Sequence, residues 1–328
     1  MEEARKHGFW HRILDRLRGR KEYIPVYEGP LAIRAAGETD VGRERDRNED
    51  AFLCLSDCGL FLVADGMGGE TAGDEASRLA VETLQEVLTP ERLSAADRSL
   101  EETLREALEA ANEAVLNAAR SLVGRARMGT TAALAVVREG VVHISHVGDS
   151  RVYLIRDGKA VSLTRDHSTV MALVDAGHLT LEQARTHPLR NELTQCLGVN
   201  ERVNPDYCAL RLRPGDRILL CTDGLWDMVS DEDLARIVTQ HPEPHDAVQT
   251  LITAANEAGG YDNITAIVIA VEAGEVKEVP AQEERAEPTT DPVFVPEDAA
   301  EPEGSITRTA ERLRRLREEK PEEQRVGG

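Results

Sequence analysis

Polar and apolar positions along this chain change period several times, and each change predicts an element. Residues 7–22 place Phe9, Trp10, Ile13, Leu14 and Leu17 on one stripe, with Arg12, Arg16, Arg18 and Arg20 elsewhere, the pattern of a basic amphipathic helix. Residues 23–30 read as a linker, which makes residues 1–30 a unit of their own. A single mixed domain follows over residues 31–272. In it, short strands flank "FLVADGMGG", and two helices come next, over residues 73–88 and from about 96 to 122, the second with Leu100, Leu104, Leu108, Ala111 and Val115 inward. The runs "TTAALAVV", "VVHISHVG" and "RVYLIRDGKAVSL" then predict closely spaced strands. Their Glu139-Gly140 and Asp157-Gly158 pairs are hairpin-turn chemistry, so the expectation is an antiparallel meander. Residues 166–198 read as helical or irregular, with His187-Pro188 as a break, before strands resume at "DRILLCTDG" and "NITAIVIAV". Strands joined by hairpins argue against a doubly wound parallel sheet. Residues 273–328 are acidic and Pro/Glu-rich, expected to be disordered as far as residue 304, with a short helix over residues 307–319.

Composition narrows the class. With 328 residues and 41% hydrophobic content the chain can bury a full core. No apolar run reaches the roughly 18 residues needed to cross a bilayer, and no apolar signal segment follows the charged start "MEEARK", so a cytoplasmic location is expected. Five cysteines, Cys54, Cys58, Cys196, Cys208 and Cys221, lack paired Cys-x-x-Cys spacing and read as free core thiols. A net charge of -21 argues against nucleic acid as a partner. That charge is uneven: residues 1–24 hold seven Lys/Arg against four Asp/Glu, whereas residues 274–328 hold nine against fifteen. The basic N-terminal helix fits docking on an acidic protein surface or an anionic membrane.

The acids carry the chemistry. Asp65 ends a buried strand and meets glycines, which alone suits a turn or a cation site. The same placement recurs in "HVGDSR" with Asp149, in "LLCTDGLWD" with Asp223 and in "GGYDNITAIV" with Asp262, while Glu49 and Asp50 of "RDRNED" precede the strand "AFLCL". Converging these strand ends without counter-charge would cost several kcal/mol per desolvated ion, so a converged site must hold cations. Carboxylates with no Cys or His beside them select Mg²⁺ or Mn²⁺ over zinc, and a carboxylate shared by two such ions suits phosphoryl ester hydrolysis.

In order and spacing, "TDVGRERDRNED", "VADGMGG", "MGTTAA", "VGDSRVYLIRDG", "TRDHS", "CTDGLWD" and "DNITAIV" resemble the metal-dependent protein phosphatases, the protein phosphatase 2C family in its bacterial form. The resemblance covers residues 31–272. It implies an α+β fold with a central antiparallel β-sandwich flanked by helices on both faces, in four α-β-β-α layers. It further implies a protein-serine/threonine phosphatase using two Mn²⁺ or Mg²⁺ ions and a metal-activated water, acting on phosphorylated Ser/Thr proteins and opposing a cytoplasmic Ser/Thr kinase. Asp65 resembles the carboxylate bridging both ions, and Gly66 the residue whose carbonyl binds one. Asp223, Asp262 and Glu49 resemble ligands of the second ion, and Asp50 the holder of a metal-bound water. Asp149 with Asp223 matches a third, weaker site, and Arg45 the arginine that binds substrate phosphate. One departure is Met67, which stands where animal and plant members have a histidine proposed as the acid for the leaving alkoxide. A catalytically inactive phosphoprotein-binding homologue and a phosphatase of small molecules are the alternatives.

Other residues have plainer readings. His143 and His146 fall on opposite faces of a strand and suit packing rather than a shared ion. His167 and Ser168 read as structural. Trp226 and Asp227 brace the strand before them, and "MGTT" packs near the Asp65 loop. Residues 166–198 correspond to the mobile flap of bacterial members, where His187, Arg190 and Asn191 are candidates for substrate contact.

Overall fold

The computed structural model describes residues 29–68, 72–95, 98–121 and 128–274. The helix expected over residues 7–22 and the tail beyond residue 274 lie outside the described residues. Among those described, two antiparallel sheets pack face to face. One has the order β1-β11-β10-β7-β8, from β1 (Leu31–Asp40), β7 (Arg151–Arg156), β8 (Lys159–Ser162), β10 (Arg217–Cys221) and β11 (Ile264–Ala273). The other runs β2-β3-β5-β6-β9, from β2 (Asp50–Leu55), β3 (Leu60–Met67), β5 (Ala132–Arg138), β6 (Val141–Val147) and β9 (Asp206–Arg211), and the short β4 (Gly129–Thr130) pairs with the end of β3.

The strands are apolar on both faces because each sheet is covered twice. In β3, Phe61 and Val63 enter the space between the sheets beside Ile144, Leu154, Ile218, Leu220, Ile267 and Ile269. Alternate residues Leu60, Leu62 and Ala64 point the other way, against α1 (Ala72–Val87) and α3 (Leu100–Ser121), with Leu93 of the short α2 (Pro90–Ser94) beside them. Period-two alternation sorts the opposite sheet likewise. There Tyr153, Leu219, Cys221, Ala266 and Val268 pack against α6 (Asp223–Trp226), α7 (Asp231–Gln240) and α8 (Pro244–Glu257). The result is the four-layer α-β-β-α arrangement that the resemblance implied. Phe61 is fully buried, so truncating it to Ala would cost about 3–5 kcal/mol.

The expected hairpins form. Glu139 and Asp157 take φ of 51° and 52°, and the glycines after them 73° and 70°, the paired left-handed conformations of a tight two-residue turn. The single meander does not. β5–β6 and β7–β8 belong to different sheets, and the chain crosses between them at Gly148, with φ 104°. A Cβ there would lie 2.6 Å from Thr131 Cγ2, so the crossover is confined to glycine. Asp149 follows immediately.

Residues 166–198 hold α4 (Thr169–Asp175) and α5 (Leu181–Arg185). Ser168 caps α4 by accepting the Met171 N–H, and Thr180 forms a capping box with Gln183, each supplying partners for otherwise orphaned donors. The far end of the segment is stitched down: Leu197 and Thr130 exchange backbone hydrogen bonds of 2.8 and 3.1 Å, and Asn112 of α3 accepts the Gly198 N–H at 2.8 Å. The pattern reading did not find β9, α7 or α8. β9 is a half-polar edge strand with a weak alternation, whereas α7 does carry a legible start, since Ser230 caps it by accepting the Asp233 N–H at 3.1 Å. All five cysteines are free thiols. No helix of the described residues is long and apolar enough to cross a membrane.

Candidate metal centre

Strand register brings the acids to one end of the sandwich. Asp50 opens β2 directly opposite Asp65 near the end of β3. In the other sheet β10 ends at Cys221 opposite Ala266 of β11, so Asp223, just past β10, and Asp262, just before β11, lie at neighbouring ends. Asp149 arrives at the same end on the β6–β7 crossover.

Hydroxyls and amides fix the loops that carry these acids. The Asp65 N–H donates to Thr131 Oγ1 at 2.9 Å, and the Asp65 carbonyl accepts from Thr130 Oγ1 at 2.9 Å. Thr222, just past β10, and Thr265 of β11 donate to Asp50 Oδ2 at 2.8 and 2.6 Å. Asn263 accepts the Glu49 N–H at 2.8 Å and donates to the carbonyls of Val41 and Arg47 at 2.9 and 2.8 Å. Gly66 tolerates no side chain, because a Cβ would sit 2.1 Å from the Gly73 carbonyl oxygen. A Cβ on Gly73 would lie 2.4 Å from Glu49 Oε2 and 2.9 Å from the Gly66 carbonyl oxygen. Those two oxygens therefore crowd the same point at the start of α1. Arg45 donates from Nη2 to Asp262 Oδ2 at 2.7 Å, which sets the expected phosphate-binding arginine at the rim.

Burial and mutual repulsion hold the carboxyls above their usual range. Asp65 is raised first by burial, then by Asp223 and Asp50. Asp149 is raised by burial and then by Asp223. Asp50 is raised by burial, offset in part by the hydroxyls of Thr265 and Thr222. Asp223 is pushed up to about 6 by burial and then by Asp262, with a side-chain hydrogen bond to Asp65 lowering it in part. Glu49 is raised by burial, with Arg45 opposing. Asp223 Oδ1 is buried without a hydrogen-bond partner. A buried carboxylate oxygen left bare among further carboxylates is a vacant donor to a cation. The set is all oxygen, which fits Mg²⁺ or Mn²⁺.

A sequence profile of the family described as protein phosphatase 2C matches residues 42–260. The chain belongs to that family. It is a metal-dependent protein-serine/threonine phosphatase, with Mn²⁺ or Mg²⁺ as its cations and phosphorylated proteins as its substrates. Among its relatives, the serine/threonine phosphatase stp of Listeria monocytogenes is 35% identical over 240 residues, 72% of this chain and 95% of the relative. The protein phosphatase PhpP of Streptococcus pneumoniae is 35% identical over 236 residues, 71% of this chain and 95% of the relative. The solved Mycobacterium tuberculosis phosphatase PstP/Ppp superposes with a TM-score of 0.68 at 36% identity, covering 73% of this chain and 99% of that one. A PstP catalytic domain solved with two manganese ions gives 0.66 at 34% identity, over 74% of this chain and all of that one. Every acid expected from the family pattern is present, and nothing favours the inactive alternative.

Within this phosphatase the remaining residues sort clearly. His143 and His146 take opposite faces of β6 as expected: His143 shares a 2.8 Å hydrogen bond with the Tyr207 hydroxyl, and His146 is buried with Nε2 donating to the Arg165 carbonyl at 2.8 Å. Burial lowers the His146 pKa to about 4. His146, His167 and Asp206 bring possible ligand atoms within 4.8 Å of one another beside a cavity of about 230 Å³. The two imidazoles are stacked, however, with centroids 4.7 Å apart and planes 23° apart. Their in-plane lone pairs run side by side and do not converge on one ion. Of the candidates for substrate contact, Arg190 reaches Asp227 at 3.4 Å, His187 accepts the Leu189 N–H within its own turn at 3.2 Å, and Asn191 is exposed. Thr130 and Thr131 of "MGTT" do hold the Asp65 loop as expected, whereas Asn263, Thr222 and Thr265 were not singled out from sequence. The signal of these last three is position alone: each is a small polar residue near a strand-end acid.

Proposed function

We propose that Glu49, Asp65, the Gly66 carbonyl, Asp223 and Asp262 hold two divalent cations, that Asp50 steadies a water beside them, and that Asp149 with Asp223 takes a third, weaker one. The unpartnered, buried Asp223 Oδ1 carries this reading, supported by the crowding of Glu49 Oε2 and the Gly66 carbonyl at one point. When bound, such cations neutralise phosphoryl oxygens and acidify water to a pKa near 7. The chain's own residues supply orientation. Arg45 is half-exposed and tied to Asp262 by one nitrogen, so its planar fork can turn to the two oxygens of an incoming phosphate dianion. Thr222 and Thr265 occupy Asp50 Oδ2 and leave Oδ1 to accept from a water. Met67 pairs with Gly129 at the end of β3 and has no proton to give, so residue 67 cannot be the acid for the leaving alkoxide.

The substrates we assign are phosphoserine and phosphothreonine proteins made by a partner Ser/Thr kinase. Five free thiols suit a reducing compartment, which supports action in the cytoplasm. The segment over residues 7–22, by its sequence pattern, serves docking on a partner or on an anionic surface. Hydrolysis of a phosphothreonine peptide and of an aryl phosphate, with Mn²⁺, Mg²⁺ or EDTA in parallel, tests the reading. Activity is expected with either metal, and activity surviving EDTA would refute it.

A further inference from the structure

Arg151 lies two residues past Asp149, at the start of β7, with its backbone opposite Cys221 of β10. Its side chain is 19% exposed and joins three segments. Nε and Nη2 donate to the two oxygens of Asp166 at 2.9 and 2.7 Å, and Nη1 donates to the Tyr153 hydroxyl at 2.9 Å. The guanidinium carbon lies over the Trp226 ring, 3.6 Å from its centre. Trp226 is the last residue of α6, whose first residue is Asp223, and its indole N–H donates to the Asp149 backbone carbonyl at 3.1 Å. Asp166 is followed by His167, whose N–H donates to the Gly148 carbonyl at 2.9 Å. Asp166, Arg151, Trp226 and Asp149 thus form a closed ring of contacts linking the start of segment 166–198 to both Asp149 and the helix of Asp223.

We propose that Arg151 is a positioning residue that fixes the separation of the Asp149 and Asp223 carboxyls and thereby sets the affinity of the weaker third cation. The inference rests on the metal reading above. Geometry, rather than charge, is what Arg151 supplies. The Arg151 charge is already met by both oxygens of Asp166 at 2.9 and 2.7 Å, so what the pair offers the Asp149 loop is a fixed position. Only arginine can meet a carboxylate with a two-pronged fork while lying flat on an indole. Lysine keeps the charge and loses the two-pronged fork and the planar stack. Trp226→Phe keeps a ring beneath the guanidinium and loses only the N–H to the Asp149 carbonyl.

The test is Mn²⁺ titration of the full chain by calorimetry, on the parent protein, Arg151→Lys, Trp226→Phe and the double variant, with thermal unfolding in parallel. The two tighter ions should bind as in the parent. The weakest should lose about 10- to 100-fold in affinity in each single variant, the range for groups that orient a metal ligand. The double variant should lose no more than the worse single one, because both act through one link. Aryl phosphate turnover should recover at high Mn²⁺. Variants that bind the weakest ion as the parent does would overturn the proposal, as would losses spread evenly over all ions with a matching fall in Tm. A parent chain that takes up no Mn²⁺ at all would instead overturn the metal reading beneath it.

Discussion

Asp223 gives a sharp test, because the charge that would bind a cation should destabilise the metal-free fold. Its carboxyl is raised from 3.8 to about 6, so the folded chain holds that proton more tightly than the unfolded one. Stability from this group is greatest below the unfolded value. It falls as pH rises from about 4 through about 6, above which both states are ionised and the penalty is complete. A gap of roughly two pKa units corresponds to about 3 kcal/mol. Asp223→Asn removes the charge with little change of shape and relieves Asp65, whose raised pKa owes most to Asp223 after burial. In EDTA at pH 7.5 the variant should therefore be more stable than the parent by about 2–3 kcal/mol, or roughly 5–10 °C in Tm for a domain of this size. At pH 4.5 the gain should shrink markedly, since the parent carboxyl is then mostly protonated in the folded state. Saturating Mn²⁺ should reverse the order, because ion at 100 times its Kd stabilises the parent by about 2.7 kcal/mol per site. Chemical or thermal unfolding at the two pH values decides it. A metal-free variant no more stable than the parent at pH 7.5, or one whose gain is equal at both pH values, would refute the reasoning.

Asp65→Asn and Asp262→Asn should each lower aryl phosphate kcat at saturating Mn²⁺ by at least about 10³, the scale of several kcal/mol of lost charge stabilisation; near-normal turnover in either would remove that residue from the ligand set. Arg45→Ala should mainly raise KM for a phosphopeptide with little change in kcat, and stability should move by less than about 1 kcal/mol because its ion pair with Asp262 is solvent-exposed; a large loss of Mn²⁺ affinity without a KM effect would contradict the phosphate role. Deleting residues 1–24 should leave aryl phosphate turnover within about twofold while altering binding to anionic vesicles or a protein partner, and loss of turnover would place that segment in the catalytic unit.

Much of the site was legible because its acids stand at strand ends, where an apolar run meets Asp and glycine. That signal is local, and it holds for Asp65, Asp149 and Asp223. The hairpins at Glu139-Gly140 and Asp157-Gly158 were legible for the same reason, since turn chemistry is read over two residues. What sequence could not show was which sheet each hairpin joins. The chain changes sheets at Gly148, and a glycine there looks like any other turn glycine until Thr131 is seen against it. The threonines on Asp50 come from positions 172 and 215 residues away, a separation at which no spacing rule operates. Trp226 and Asp227 were read as a brace for the strand before them. The indole does reach the Asp149 loop, but Asp227 turns instead to Arg190 in segment 166–198.

The placement of the acids explains why the site can be both charged and folded. Asp50 and Asp65 end strands of one sheet, and Asp223 and Asp262 flank strands of the other, so their repulsion acts across the sandwich and tends to part the two layers. Along the interior the layers are held by apolar packing of Phe61, Leu154, Leu220 and Ile267, which ends where the acids begin. At that end the described residues provide polar ties across the gap, Thr222 and Thr265 to Asp50 and Asn263 to the Glu49 N–H. Each tie is a single hydrogen bond, worth about 1 kcal/mol, or up to about 3 where the acceptor is charged. That is comparable to the penalty on one buried carboxylate and less than the sum over several. A divalent ion bound by acids from both sheets would close the gap with the very charges that otherwise open it, so metal affinity and stability of this end of the fold rest on the same residues.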